Sequence, residues 1–203
     1  MRKFYFFFLL LYLNWTFSYC QDVYFKTGIN STKFKFLDKA GDPLYEFLPG
    51  ISPSLEMGYG YPVTDFLVNE FGLSLDGYSS KGDNSSKDHS WSTLYGGLRN
   101  TTSVSASLGD LQISVFGVLG LSKILVGDQR VNNGRYDLTK EEDFNGLFFQ
   151  RGLGINLNFF LTEQVFISSG IDRSINSKFK KSETENLSFS TSRILFGIHL
   201  IFD

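Results

Sequence analysis

Few side chains in this sequence are equipped for covalent or metal chemistry, and they lie far apart. His89 stands in the stretch "SSKGDNSSKDHS" with Asp83 and Asp88, so one polar segment holds an imidazole and two carboxylates. Those are ligand types for a divalent cation, but a run this rich in Ser, Asn and Lys has the make-up of a solvated loop, and no metal site is predicted from it. The other histidine, His199, falls near the C-terminus, and the single cysteine, Cys20, falls near the N-terminus. Nucleophilic catalysis needs a nucleophile, a base within hydrogen-bonding reach and a group that orients the base. The sequence pattern places no histidine–carboxylate pair beside a matching serine. No catalytic residue is therefore assigned, and neither an enzyme nor a cofactor is expected.

What remains is electrostatic. Lys26, Glu56, Glu70, Asp76, Arg99, Asp172, Arg193 and His199 all fall on the small, polar phase of alternating segments. Charges of both signs on one enclosed face predict an interlocked network of ion pairs and hydrogen bonds, because a lone charge in a low-dielectric interior is costly. Within that network Glu56 or Glu70 is expected to pair with Arg99.

The elements that must carry these residues are strands. Period-two alternation recurs along the chain and helical periodicity is sustained nowhere after the first twenty residues. In "RGLGINLNFF", Leu153, Ile155, Leu157 and Phe159 alternate with Gly152, Gly154, Asn156 and Asn158. Ile51, Pro53, Leu55, Met57, Tyr59 and Tyr61 alternate in the same way with Ser52, Ser54, Glu56, Gly58 and Gly60. Similar segments begin near Val23, Glu70, Leu98, Leu111, Val165 and Ile194, which brings the expected count to eight; Phe116 and Val118 are the large apolar residues that intrude on the polar phase. The connections alternate too. Those over Pro62 to Phe66, Ser107 to Leu111 and Leu161 to Val165 are tight, whereas those over Ser31 to Gly50, Ser79 to Trp91, Gly127 to Asn145 and Ser177 to Asn186 are long and polar.

Short turns at one end and long loops at the other describe an antiparallel up-and-down meander, and eight strands of this length fit the smallest transmembrane β-barrel. A soluble barrel of the lipocalin type alternates as well, but it packs its large apolar residues inside and shows charge outside. Here the polar phase is mostly Gly, Ser, Thr and Asn, which suits a narrow lumen, so the fold class expected is an all-β transmembrane barrel with lipid on its apolar face.

The N-terminal stretch "MRKFYFFFLLLYLNWTFSYC" puts Arg2 and Lys3 ahead of an apolar run and ends on Ser18-Tyr19-Cys20, the pattern of a secretory signal peptide over residues 1–20, cleaved after Cys20. The barrel domain is then 21–203, without cysteine. A formal net charge of −2 and the lack of a basic stripe interleaved with aromatics exclude nucleic acid as an expected partner.

Running from "DVYFKTGIN" to "DFNGLFFQRGLGINLNF" and the closing "RILFGIHLIFD", the mature chain resembles the small outer-membrane β-barrel proteins of Bacteroidetes, the PorT-like and OmpX-like group. The cues are the glycine-containing first strand, Asp143-Phe144-Asn145-Gly146 at the entry to the sixth expected strand, the cut before Gln21 and an aromatic near the C-terminus; the ending Phe202-Asp203 departs from barrels that finish on the aromatic itself. The resemblance implies a cell outer membrane location and a barrel fold, and brings no catalytic motif.

The function expected is a structural or interaction protein of the cell envelope; the alternatives are an accessory subunit of a secretion or transport assembly and a narrow porin-like channel. Lys123, Arg151 and Arg173 break the alternation by placing cations on the lipid face. Standing 12 residues beyond Leu111, 10 before Leu161 and 8 beyond Val165, they rise roughly 19–28 Å above the tight turns, near the far edge of an apolar band about 25 Å tall. At that height cations can snorkel to phosphates of an outer-leaflet glycolipid such as lipopolysaccharide. Phe34, Phe36, Tyr45, Phe47, Trp91, Tyr136 and Phe144 fall in or beside the long loops. They are expected either to anchor a protein partner or to pair across strands that extend above the membrane, the latter for Phe34 and Phe36, which alternate with Lys33 and Lys35.

Overall fold

The structure, a computed structural model, describes residues 21–37, 43–45, 47–82, 89–131, 134–179 and 186–202. The expected signal peptide lies outside the described residues. So do Asp83 and Asp88, and with them the loop cation site considered above.

The described residues hold ten strands: β1 (Gln21–Leu37), β2 (Pro43–Tyr45), β3 (Phe47–Thr64), β4 (Leu67–Gly82), β5 (His89–Leu108), β6 (Leu111–Val131), β7 (Gly134–Asp137), β8 (Leu147–Phe160), β9 (Val165–Lys178) and β10 (Asn186–Phe202). Eight of them form an antiparallel ring in the order β10-β9-β8-β6-β5-β4-β3-β1, and β1 closes back on β10 from Gln21 opposite Phe202 to Leu37 opposite Asn186. Closure leaves the ring no open edge, so ladder partners are available to every strand without help from disulfides. β2 and β7 are short additions that pair with β1 and β6 at the end of the barrel carrying the long loops.

Side-chain period dictates the rest. Val23, Phe25, Ile29, Met57, Leu73, Leu98, Val115, Ile155, Ile171 and Phe196 point outward and are each 42% exposed or more. The intervening residues point inward and are buried, an arrangement opposite to that of a soluble barrel. The tight turns and both strand termini share one end, here called the turn end. Between β5 and β6 the chain reverses through Gly109, whose φ of 64° suits a residue without a Cβ.

Near the loop end the interior changes character. Phe34, Tyr78, Trp91, Tyr95, Phe144, Phe148 and Phe189 pack with Ile124, Leu138 and Leu187 into a single buried cluster. Tyr95 meets Phe148 edge-on at 5.5 Å, and Trp91 meets both Phe34 and Phe144 at 5.5 Å. The segment after β7 bends inward to complete it, with Asp137 capping the 3-10 turn Leu138–Lys140 by accepting from the Thr139 amide at 3.0 Å. Of the two readings of the loop aromatics, packing on strands that extend past the belt holds for Phe34, and burial removes Trp91 and Phe144 as partner anchors. Phe34 and Trp91 face inward because their strands run on past the apolar belt and keep alternation there, and Phe144 is carried inward by the turn that follows the 3-10 segment, while Tyr136 is exposed; the side chains of Phe36, Tyr45 and Phe47 lie outside the described residues. Phe116 and Val118 likewise obey the alternation and face the lumen.

Candidate functional site

All eight charged or ionisable residues expected inside do lie inside, and they fall into three groups along the axis. In the middle, Arg99 of β5 donates from Nη1 to Glu56 Oε2 of β3 at 2.6 Å and from Nη2 to Asp76 Oδ2 of β4 at 3.0 Å. Its Nε and Nη2 both donate to Gln150 Oε1 of β8, at 3.1 and 2.8 Å. Arg193 of β10 grips Asp172 Oδ2 of β9 through Nε at 2.9 Å and Nη2 at 2.7 Å, while its Nη1 lies 3.4 Å from Asp76 and 3.6 Å from Glu56. Around this core Tyr24 donates to Glu56 at 3.1 Å, Ser54 bonds Asp76, and Gln150 donates to Ser174, which bonds Thr191. Three carboxylates thus face two guanidiniums, and Asp172 Oδ1 has no protein partner.

The pairing of Arg99 with Glu56 arises differently from the sequence-based expectation. β3 and β5 are not neighbours; β4 lies between them, and the long guanidinium spans it across the narrow lumen. Glu70 pairs instead with Lys26, 2.6 Å away.

Toward the turn end the lumen widens into a cavity of about 200 Å³. Lys26, Glu70, Asp172 and Arg193 line it together with Ser, Thr, Asn and Gln, and with the apolar Phe116, Phe160 and Leu195. The ionic layer and the aromatic cluster close it off from the loop end.

His199 is fully buried behind the wall of this cavity, to which Asp22 and Ser168 contribute. Its Nδ1 lies 2.6 Å from Asp22 Oδ2 and its Nε2 lies 3.1 Å from Ser168 Oγ. Phe166 stacks on the ring at 4.1 Å and Tyr24 covers the other side at 5.4 Å. This overturns the expectation that no histidine–carboxylate pair meets a serine. Closure puts β10 between β1 and β9, with Tyr24, His199 and Phe166 in one cross-strand row, so Asp22 and Ser168 are the two inward diagonal neighbours of His199. The signal was within reach: Ser168 and His199 were already on the polar phase, and extending β1 by one residue to Asp22 completes the set. Asp22, Glu70 and His199 also bring three possible metal-ligand atoms within 4.8 Å of one another, with the Lys26 ammonium already bound to Glu70.

Lys123, Arg151 and Arg173 are all exposed on the outer face. Arg151 stands opposite Ile175, two residues from Arg173, which makes these two diagonal neighbours; Lys123 is opposite Leu147 and four residues along β8 from Arg151. The register brings two of the three cations together and leaves the third about 13 Å further along. Beyond the belt, at the loop end, Arg135 of β7 donates to both carboxylate oxygens of Asp128 at 2.8 and 2.6 Å, and those bonds hold the Asp128 carboxyl below its ordinary value.

No protein-family model and no curated protein sequence matches the chain. Among solved structures, it is similar to Neisserial surface protein A at 11% identity and TM-score 0.47, covering 88% of this chain and 97% of that one. It is similar to the outer membrane protein OprG from Pseudomonas aeruginosa at 11% and 0.48, covering 89% and 95%. The outer membrane protease OmpT from Escherichia coli stands at 9% and 0.48, covering 90% and 97%.

Proposed function

We propose that the protein is an outer-membrane β-barrel that serves as a structural or interaction protein of the cell envelope, delivered by a signal peptide over residues 1–20. One observation carries this reading: a closed ring of strands whose outer surface is a belt of Val, Leu, Ile and Phe and whose interior holds the charges. Only a hydrocarbon surrounding makes that phase favourable, since in water the same surface would be an apolar patch far larger than soluble proteins carry. The filled centre supports a closed barrel over a conducting one. Outside the belt, Arg151 and Arg173, with Lys123 beyond them, offer charge-assisted contacts to the phosphates of an outer-leaflet glycolipid.

The test is density-gradient separation of envelope fractions from cells making the full chain. The protein is expected with the outer membrane, resistant to high-salt and alkaline washing. Recovery in the soluble periplasmic fraction would overturn the reading.

A further inference from the structure

The relay from Asp22 through His199 to Ser168 has the connectivity of a hydrolytic triad. Asp22 holds Nδ1, which fixes the tautomer that leaves the Nε2 lone pair free to accept the Ser168 hydroxyl proton. The three residues come from three strands, β1, β10 and β9, so ladder hydrogen bonds on both sides of His199 set the spacing. His199 is buried between Phe166 and Tyr24, which hold its ring in place and leave Nε2 directed at Ser168. A structural Asp–His–Ser chain needs no access to open space, yet Ser168 and Asp22 both line the cavity at the turn end.

A second feature stands in the next row. Lys26, Gly197 and Ser168 face one another across β1, β10 and β9. A Cβ on Gly197 would lie 2.6 Å from Ser168 Oγ and 2.7 Å from Lys26 Cγ, so the bare glycine is what lets the hydroxyl and the lysine stem share the floor of the cavity. Lys26, its ammonium held by Glu70 at 2.6 Å, stands in the row of the hydroxyl and adds a donor near the place where negative charge would develop on a carbonyl oxygen under attack.

We infer that Ser168, His199 and Asp22 form a serine hydrolase site, entered from the turn end, that cleaves short-chain carboxylic esters. Ser168 Oγ bonds to the ester carbonyl carbon as its proton passes to His199 Nε2. The carbon–oxygen bond to the alcohol breaks, and His199 returns the proton to the departing alcohol. Water then attacks the acyl-serine and gives its proton to His199. The Ser168 ester bond breaks, the proton returns to Ser168 Oγ, and the acid leaves. Ester and water become acid and alcohol with no other reactant. The size of the cavity, about 200 Å³, sets the acyl length: it is below the roughly 300–1,000 Å³ of sites for drug-sized ligands. A chain of a few carbons fits, and a long fatty acyl chain does not.

The experiment uses the full mature chain folded in non-ionic detergent, with a fluorophosphonate probe and the 4-nitrophenyl esters of acetate and dodecanoate. Expected are a single fluorophosphonate adduct that peptide mass spectrometry places on Ser168, and hydrolysis that favours acetate. Ser168→Ala should remove the adduct and bring hydrolysis to background. His199→Gln should lower it by about 100-fold or more. The control Ser92→Ala, at an exposed serine of β5 away from the cavity, should keep both. Folding of each variant is checked by its unheated gel mobility, and the adduct on the unmutated protein stands as evidence even if a variant does not fold. An unlabelled folded protein, or equal hydrolysis by Ser168→Ala, overturns the proposal. Hydrolysis that survives in Ser168→Ala and is lost with EDTA overturns it in favour of a metal held by Asp22, Glu70 and His199.

Discussion

Arg99 donates to acceptors from three other strands, Glu56, Asp76 and Gln150, so its removal would leave two carboxylates in the lumen with Arg193, at 3.4 and 3.6 Å, as their remaining ion-pair partner. Arg99→Leu is expected to lower stability by about 3–5 kcal/mol, because breaking one side of a buried pair strands the other charge. Urea unfolding in detergent micelles measures this. A variant that also carries Glu56→Gln and Asp76→Asn should recover most of the loss, since it removes the stranded charges too. A near-zero change on Arg99→Leu alone would mean that water reaches and screens the site. Which residues face inward was readable from the sequence, since Lys26, Glu56, Arg99 and Arg193 all keep the polar phase. Their partners were not, because alternation gives a face and no register: the lumen is narrow enough for Arg99 to cross a strand and for Lys26 to take Glu70.

At the level of elements, alternation located the eight long strands and the three tight turns, because each strand carries both a lipid face and a lumen face along its lower half. It did not reveal β2 and β7, which are too short to show a period, nor that the polar phase turns aromatic toward the loop end. Phe34 and Trp91 look like loop residues only if strands are taken to end at the membrane surface. Two expectations belong to this scale. The bidentate pair of Arg135 with Asp128 ties β7 to β6, and the Asp128 carboxyl is held below its ordinary value chiefly by those hydrogen bonds. A depressed carboxyl contributes its stability above the unfolded value and loses it as pH falls through the folded one. Relative to the intrinsic rate at each pH, amide protection in residues 128–131 and 134–137 should therefore be higher near neutral pH and fall below about pH 4; unchanged protection at pH 3 would contradict this. The second concerns β6, β8 and β9. Replacing Lys123, Arg151 and Arg173 by Ser should reduce lipopolysaccharide retained by the purified barrel, with more of the loss from Arg151 and Arg173, the diagonal pair. Equal retention by the parent and the triple variant would leave these cations as boundary markers that bind nothing in particular.

For the molecule as a whole, two different fillings block the lumen in series. The ionic layer of Arg99 and Arg193 crosses the middle, and the aromatic cluster with its inward-folded segment seals the loop end. An eight-stranded ring has an interior only wide enough for side chains, so neither filling leaves a continuous water path. The purified protein is accordingly expected to be silent in planar bilayers. Silence alone is weak evidence, because an unfolded or uninserted chain is silent too. It has to be read with folding measured in the same sample. A closed barrel satisfies its backbone polar groups internally and resists detergent until heated, so the unheated protein should migrate differently from the boiled one on a gel. Removing the aromatic seal gives the decisive comparison. Phe34→Ala with Phe189→Ala should keep the gel shift and stay silent, since the ionic layer still blocks the path. Adding Arg99→Ser and Arg193→Ser, with Glu56→Gln, Asp76→Asn and Asp172→Asn so that no carboxylate loses its ion-pair partner without compensation, should open measurable conductance. Steady conductance by the parent, with an intact gel shift, would show that water already threads both layers and that the barrel is a channel.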